Sequence, residues 1–349
     1  MTRSTERDET PPGTRVWAIR GVLVALVLLV VLVSGEIATR AAGYQPWRVD
    51  DPGIAVEPGG RFFEPHPTLG YRQLPGTFTV RLHTGYTFTV THGPDTLRAT
   101  HLPLDSEGDA AERDQIWIFG CSITHGWSVD DDETYPWLLQ TQMPDMEVVN
   151  FGVNGYGTLH SLIQLREALD RRPKPAVVVL AYAQIHDERN TFTRTRRKSI
   201  APWNRLGTLL QPYARLDDDR LRMAMAEVEY TEFPAMRSSA LSHWVEEFYN
   251  RLERRMLRSR EVTLAILDEF AAVSRAHDVP MLLAGIRSPQ LAEVLEWARE
   301  RGIAAADISV DNRDPRYVNL PHDTHPSPLA HAEFAGKLGA ALAGTRYVH

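Results

Sequence analysis

Two short stretches of the chain carry side chains that could perform nucleophilic chemistry together. The first is Gly120-Cys121-Ser122-Ile123-Thr124-His125-Gly126; the second, far downstream, is Asp323-Thr324-His325-Pro326-Ser327. A serine hydroxyl is a weak nucleophile until a base takes its proton, and an imidazole base works when a third group fixes its tautomer. Ser122, His325 and Asp323 are those three residue types. Small residues flanking the serine let the chain turn sharply and present the hydroxyl. Other readings explain less. Ser122 as an ordinary turn serine leaves the Asp-His-Pro stretch without a role. Cys121 as nucleophile is disfavoured because a lone cysteine beside an apolar run is usually a packing residue. His322, Asp323, His325 and His331 could ligate a metal, but no second cluster has ligand spacing. The expected chemistry is therefore serine-based acyl transfer, with no metal and no cofactor.

These residues need a scaffold, and the hydrophobic pattern supplies one. Short aliphatic runs, QIWIFG at 115–120, EVVNFG at 147–152, AVVVLAY at 176–182, VPMLLAGI at 279–286 and IAAADI at 303–308, alternate with helical stretches. Continuous apolar runs separated by helices predict a parallel sheet buried on both faces. The expected fold class is α/β, a doubly wound parallel sheet of about five strands that binds ligands beyond the strands' carboxyl ends. Ser122 follows the first run and Asp323-His325 follows the last, which places both at that edge. Alternating segments at 77–82 and 86–92, joined by His83-Thr84-Gly85, predict a hairpin within a small β-rich lead-in over 39–112. The Arg-rich stretch at about 191–260 breaks the rhythm of the main domain, 113–349. It reads as a helical insertion ending in LSHWVEEFYNRLERRML. The acids Asp130-Asp131-Asp132-Glu133 suit the start of a helix near Tyr135.

Composition sets further bounds. Acidic residues outnumber basic ones 45 to 38, for a net charge of −7, which argues against a nucleic-acid partner. One cysteine excludes an intrachain disulfide framework. The run GVLVALVLLVVLVS at 21–34, extended by Trp17, Ala18 and Ile19, approaches the roughly 20 apolar residues that cross a bilayer. Arg3, Arg7, Arg15 and Arg20 precede it, so a tail at 1–15 is expected in the cytoplasm, an anchor at 16–38 in the membrane, and the remainder outside. The alternative is a signal peptide cleaved near Val33-Ser34-Gly35, which would make the protein secreted.

GCSITHG resembles the GDS-x-x-x-G block of the SGNH, or GDSL-type, hydrolases, and DTHPS is similar to their C-terminal Asp-x-(x)-His-Pro block. Asn150-Phe151-Gly152-Val153-Asn154-Gly155-Tyr156-Gly157 resembles their second block, and the order of the three is the family's. The resemblance covers about residues 114–345, interrupted by the insertion. GWSVDDDETYPWLLQ and NFGVNGYGT are similar to a membrane-anchored bacterial branch. The resemblance implies a flavodoxin-like SGNH fold, Ser122 as nucleophile, His325 as general base and then acid, and Asp323 as the group holding the imidazole. It also implies an oxyanion hole formed by the backbone N–H groups of Ser122 and Gly155 and a side chain of the third block. That block corresponds to Gln184–Asn190, with His186 in place of the family's asparagine. An imidazole N–H can donate to an oxyanion. Cys121 stands where the family has an aspartate. Asn154, Arg189 and Asn190 are candidates for substrate or loop contacts, His125 and His160 for the rim, and His331 for a place at the start of the last helix.

The expected activity is hydrolysis of an ester or O-acyl group through a Ser122 acyl-enzyme, on an acylated small molecule, glycan or lipid. Transfer of the acyl group to another acceptor, or a catalytically weak glycan-binding role on the same fold, are the alternatives.

Overall fold

A computed structural model of the chain describes residues 12–49, 53–102, 113–287 and 289–344. The expected cytoplasmic tail at 1–15 lies largely outside the described residues. In chain order the elements are α1 (Pro12–Ala41), β1 (Ala55–Glu57), β2 (Phe63–His66), β3 (Gly70–Gln73), β4 (Gly76–Arg81), β5 (Thr87–His92), β6 (Gln115–Phe119) and α2 (Ser122–His125). They continue with α3 (Tyr135–Gln142), β7 (Glu147–Asn150), α4 (Thr158–Arg171), β8 (Val177–Ala183), α5 (His186–Asn190), α6 (Arg194–Ile200), β9 (Leu210–Asp217) and β10 (Arg220–Glu227). The last are α7 (Ala240–Met256), α8 (Ser259–Ala276), β11 (Met281–Arg287), α9 (Leu291–Glu300), β12 (Ala304–Asp307) and α10 (Pro328–Ala343). The chain forms two compact units: the described residues up to 49 with Thr231–Leu252, and the remainder.

The larger unit is built on five parallel strands in the order β12-β11-β8-β6-β7. Counted along the chain this is the 2-1-3-4-5 order of a flavodoxin-like doubly wound sheet. All seven residues of β8 are buried, as a central parallel strand covered on both faces requires. Trp117, Phe119, Val178, Leu180 and Leu283 face α4, α8 and α9. Ile116, Ile118, Val177, Val179 and Leu282 take the other face with Leu139 of α3 and Phe334 and Leu338 of α10. The two-residue periodicity of strands divides each apolar run between the two layers.

The lead-in is β-rich. β1, β4 and β5 form a three-stranded antiparallel sheet, with Val80 opposite Phe88 and Phe78 opposite Val90. Those four side chains form a small apolar core with Val56, Phe62 and Leu82. The helical expectation for the insertion is corrected in part: β9 and β10 pair over their full length as an antiparallel hairpin. Asp218 and Asp219, both at positive φ (46° and 59°), supply the two-residue turn, and a type I′ turn needs positive φ at both of its central positions. Aspartate tolerates that region better than most side chains.

Arg98 fastens the lead-in to the sheet. Its backbone bridges both His92 at the end of β5 and Asn150 at the end of β7. Its fully buried guanidinium pairs with Asp131 at 2.7 Å and donates to the carbonyls of Thr89 and Val129. Removing one partner of a buried pair strands the other charge. Arg98→Ala should therefore lower the unfolding free energy by about 3–5 kcal/mol. Arg98→Lys should recover little of this, because an ammonium cannot span the same acceptors. Urea unfolding of the three proteins checks both statements.

Candidate active site

Ser122 is the first residue of α2, reached directly from the carboxyl end of β6 through Gly120 and Cys121. Gly120 is required by contact: a Cβ there would lie 2.0 Å from the Thr124 hydroxyl. Gly126 ends the turn in the left-handed conformation (φ 84°), a backbone state open to glycine without strain. The Tyr135 hydroxyl donates to Thr124 Oγ1, and the Asn150 side chain donates to the Thr124 carbonyl while accepting from the Gly152 N–H. Asn150 thus ties the serine turn to the loop after β7.

The structure brings Ser122, His325 and Asp323 together. His325 Nε2 lies 2.9 Å from Ser122 Oγ, and His325 Nδ1 lies 2.7 Å from Asp323 Oδ1. With Nδ1–H donating to the carboxylate, Nε2 carries the lone pair that faces the hydroxyl. The same Oδ1 accepts the backbone N–H groups of Thr324 and His325, and Oδ2 accepts the indole N–H of Trp127 at 2.6 Å. Burial alone would raise the Asp323 carboxyl, but the hydrogen bonds and charge of His325 and the Trp127 donor hold it below the ordinary carboxylate value.

The lead-in and the serine turn both grip the loop that carries this pair. Thr84 Oγ1 lies 2.9 Å from His322 Nδ1, and the Tyr86 ring stacks on the His322 ring with centroids 4.7 Å apart. The Tyr86 hydroxyl and the Asn319 amide both donate to the Ser128 carbonyl. Sequence reasoning missed Trp127, Tyr86, Thr84 and Arg98. Only Trp127, five residues after the serine, stood close enough in sequence to be suspected.

The oxyanion candidates are placed as follows. The N–H of Ser122, at the first position of α2, has no intrahelical acceptor. Gly155 holds φ 83°, where a Cβ would strike the Tyr71 hydroxyl at 2.3 Å, and its carbonyl accepts from Arg196. His186 is fully buried; its Nδ1 lies 3.2 Å from Thr158 Oγ1 and its Nε2 has no partner. Burial, with Arg189 nearby, pushes the His186 pKa well below its usual value, so the ring is neutral.

Arg189 donates to the Tyr156 carbonyl. Asn190, also fully buried, accepts from Leu159 N–H and donates to Thr263 Oγ1. These are contacts that hold the loops. Asn154 accepts from the Tyr71 hydroxyl through its carbonyl, and its side-chain oxygen is unpaired.

The rim expectation for His125 and His160 is corrected, because both are buried. His92 Nδ1 lies 2.9 Å from the Leu74 carbonyl, and its Nε2 meets His125 Nε2 at 3.0 Å. Burial first, then the Arg98 charge, lowers His92 to about 3 and His125 well below its usual value. His160 Nδ1 accepts from the Gly157 N–H, and its ring stacks on Tyr156. His331 Nδ1 accepts the N–H of Tyr135, in α3. Asp130 and Asp131 accept the N–H groups of Thr89 and Thr91, so they hold the β5 edge as well as starting a helical turn.

No protein-family model and no curated protein matches the sequence. Among solved structures, the chain is similar to TesA, at 15% identity over 66% of this chain and 98% of that one, with a TM-score of 0.39. It is also similar to a member of the lipolytic protein G-D-S-L family from Veillonella parvula, at 11% identity over 66% and 99%, TM-score 0.39. A third is AlinE4, an SGNH-hydrolase family esterase, at 17% identity over 66% and 96%, TM-score 0.34.

Trp127→Phe keeps the ring and deletes the donor to Asp323. A hydrogen bond to a charged group contributes about 1.5–3 kcal/mol, so kcat/KM of any Ser122-dependent reaction should fall roughly 10- to 150-fold. The variant's Asp323 pKa should rise. Because a depressed carboxylate contributes stability that is lost as pH falls through its folded pKa, that contribution should shrink in the variant and be lost completely at a higher pH. Steady-state kinetics and thermal unfolding at a series of pH values measure the two effects.

Proposed function

We propose that this chain is a serine esterase of the SGNH, or GDSL, type. The unbroken hydrogen-bond chain from Ser122 Oγ through His325 to Asp323 carries the reading. Ser122 Oγ attacks the acyl carbonyl carbon while His325 Nε2 takes the hydroxyl proton. The tetrahedral oxyanion collapses, the C–O bond to the alcohol breaks, and His325 returns the proton to the departing oxygen. Water then repeats the sequence on the acyl-enzyme, releasing a carboxylic acid and free Ser122. The backbone N–H groups of Ser122 and Gly155 and the His186 Nε2–H are the oxyanion donors in this scheme.

The substrate is an acylated small molecule, glycan or lipid outside the cytoplasm. Two features support that. The helix α1 contains a span, Val16–Ala41, in which an 18-residue window has a mean hydropathy of 2.8 and no buried part, which suits a membrane anchor with its amino end in the cytoplasm. A cleaved signal sequence has the same apolar character, and would leave the protein secreted. Trp127, which touches Asp323, also lines a largely apolar cavity of about 310 Å³ with Val56, Phe62, Phe63, Asn154 and Leu209. That volume is near the lower end of the roughly 300–1,000 Å³ found for small-molecule sites, so a compact acyl group suits it better than a long lipid chain.

The purified protein should turn over p-nitrophenyl esters and take a fluorophosphonate label, and Ser122→Ala should lose both. An inert wild type that also resists the label would overturn the assignment. For the oxyanion donor, His186→Ala should lower kcat about 10²–10³-fold with little change in KM, and His186→Asn should restore part of the loss. Equal losses in both variants, together with lowered thermal stability, would instead mark His186 as a packing residue.

A further inference from the structure

The helix α7 wears its apolar side outward. Val245, Phe248, Tyr249, Leu252 and Met256 are all exposed, while Glu246, Asn250 and Glu253 are buried. At 3.6 residues per turn the five exposed side chains fall within an arc of about 100°, the width of the stripe that a surface helix ordinarily turns toward its core. An exposed stripe of this kind marks an interaction surface.

The same compact unit indicates what covers it. α1 and α7 are joined at their ends: the Glu36 carboxylate accepts from Ser239 Oγ at 2.7 Å and from the N–H groups of Ala240 and Leu241 at 3.0 Å each. A carboxylate there caps the first turn of α7. Arg40 adds a bond to the Ser238 carbonyl, and Gly35 packs directly on Leu241, whose Cδ2 would lie 3.0 Å from an added Cβ. Leu32, Val33 and Ile37 of α1 then line one groove with Leu241 and Val245 of α7. The apolar surface therefore runs without a break from the membrane-spanning helix onto the α7 stripe. Arg251 and Arg255 are exposed beside the stripe, where guanidinium groups meet lipid phosphates in an interfacial helix.

We propose that α7 lies in the headgroup and acyl boundary of an anionic bilayer, with Phe248, Leu252 and Met256 among the acyl chains. It would act with α1 as a second membrane contact. This rests on the reading of α1 as membrane-embedded, so the test reports on that reading separately. The full chain is reconstituted in vesicles of phosphatidylcholine and phosphatidylglycerol as single-site variants Phe248→Cys, Leu252→Cys, Val27→Cys in α1, and Arg313→Cys on the larger unit. Each carries an environment-sensitive fluorophore; Cys121 is buried and stays unlabelled. Spin-labelled lipid should quench the probes at 248 and 252 several-fold more than the probe at 313, and aqueous iodide should show the reverse order. Probes at 248 and 252 that iodide quenches like the one at 313, while the probe at 27 stays in lipid, overturn the proposal and leave the anchor standing. Protection from both quenchers would mean that protein covers the stripe, which also overturns it. A probe at 27 exposed to iodide would remove the anchor and this proposal together.

Discussion

Arg98 is the interaction on which the arrangement of the larger unit depends. A fully buried guanidinium is costly unless its charge and donors are met, and a buried pair contributes specificity only when the surrounding groups complete it. Here the partners come from two separate stretches of chain: Thr89 of the lead-in, and Val129 and Asp131 just after the serine turn. The cation therefore holds those stretches in one register. Asp130 and Asp131 reinforce it by accepting backbone donors from the β5 edge. Buried neutral histidines, His92 and His125, fill the space beside the same joint.

The consequence is that the β-rich lead-in belongs to the candidate site. Thr84 and Tyr86, near the turn of the β4–β5 hairpin, hold His322, which is three residues from His325. Trp127 completes the link by donating to Asp323 while lining the cavity with Val56, Phe62 and Phe63 of the lead-in. An imidazole held on a loop is only as well oriented as the groups that fix the loop, and here those groups come from outside the parallel sheet.

Much of this was legible in the sequence. The five apolar runs became β6, β7, β8, β11 and β12; β8 and β11 are buried on both faces almost throughout, so no polar position blurs their pattern, while the edge strands β7 and β12 are half-buried and carry Glu147 and Asp307. The Ser122 and His325 stretches met because both lie at the carboxyl edge of that sheet. The β9–β10 hairpin was less readable. Its turn residues, Asp218 and Asp219, sit in an acidic run that looks like solvated surface, and its strands are partly exposed. His125 and His160 were misjudged for a related reason: an isolated histidine in a loop-like segment looks polar, whereas neutral imidazoles can be buried when backbone groups or a second ring meet their nitrogens.

The sequence by itself determined the strand pattern, the place of the serine turn and the Asp-His pair at one edge, and an apolar amino-terminal helix, because each follows from local periodicity or adjacent residue types. Tertiary structure alone decided which distant side chains complete the site. Trp127 beside Asp323, Tyr86 beside His322 and Arg98 beneath the serine turn are contacts between segments far apart in the chain. It also decided that the apolar stripe of α7 is exposed. Periodicity reports that a helix has two faces, but not which of them is covered.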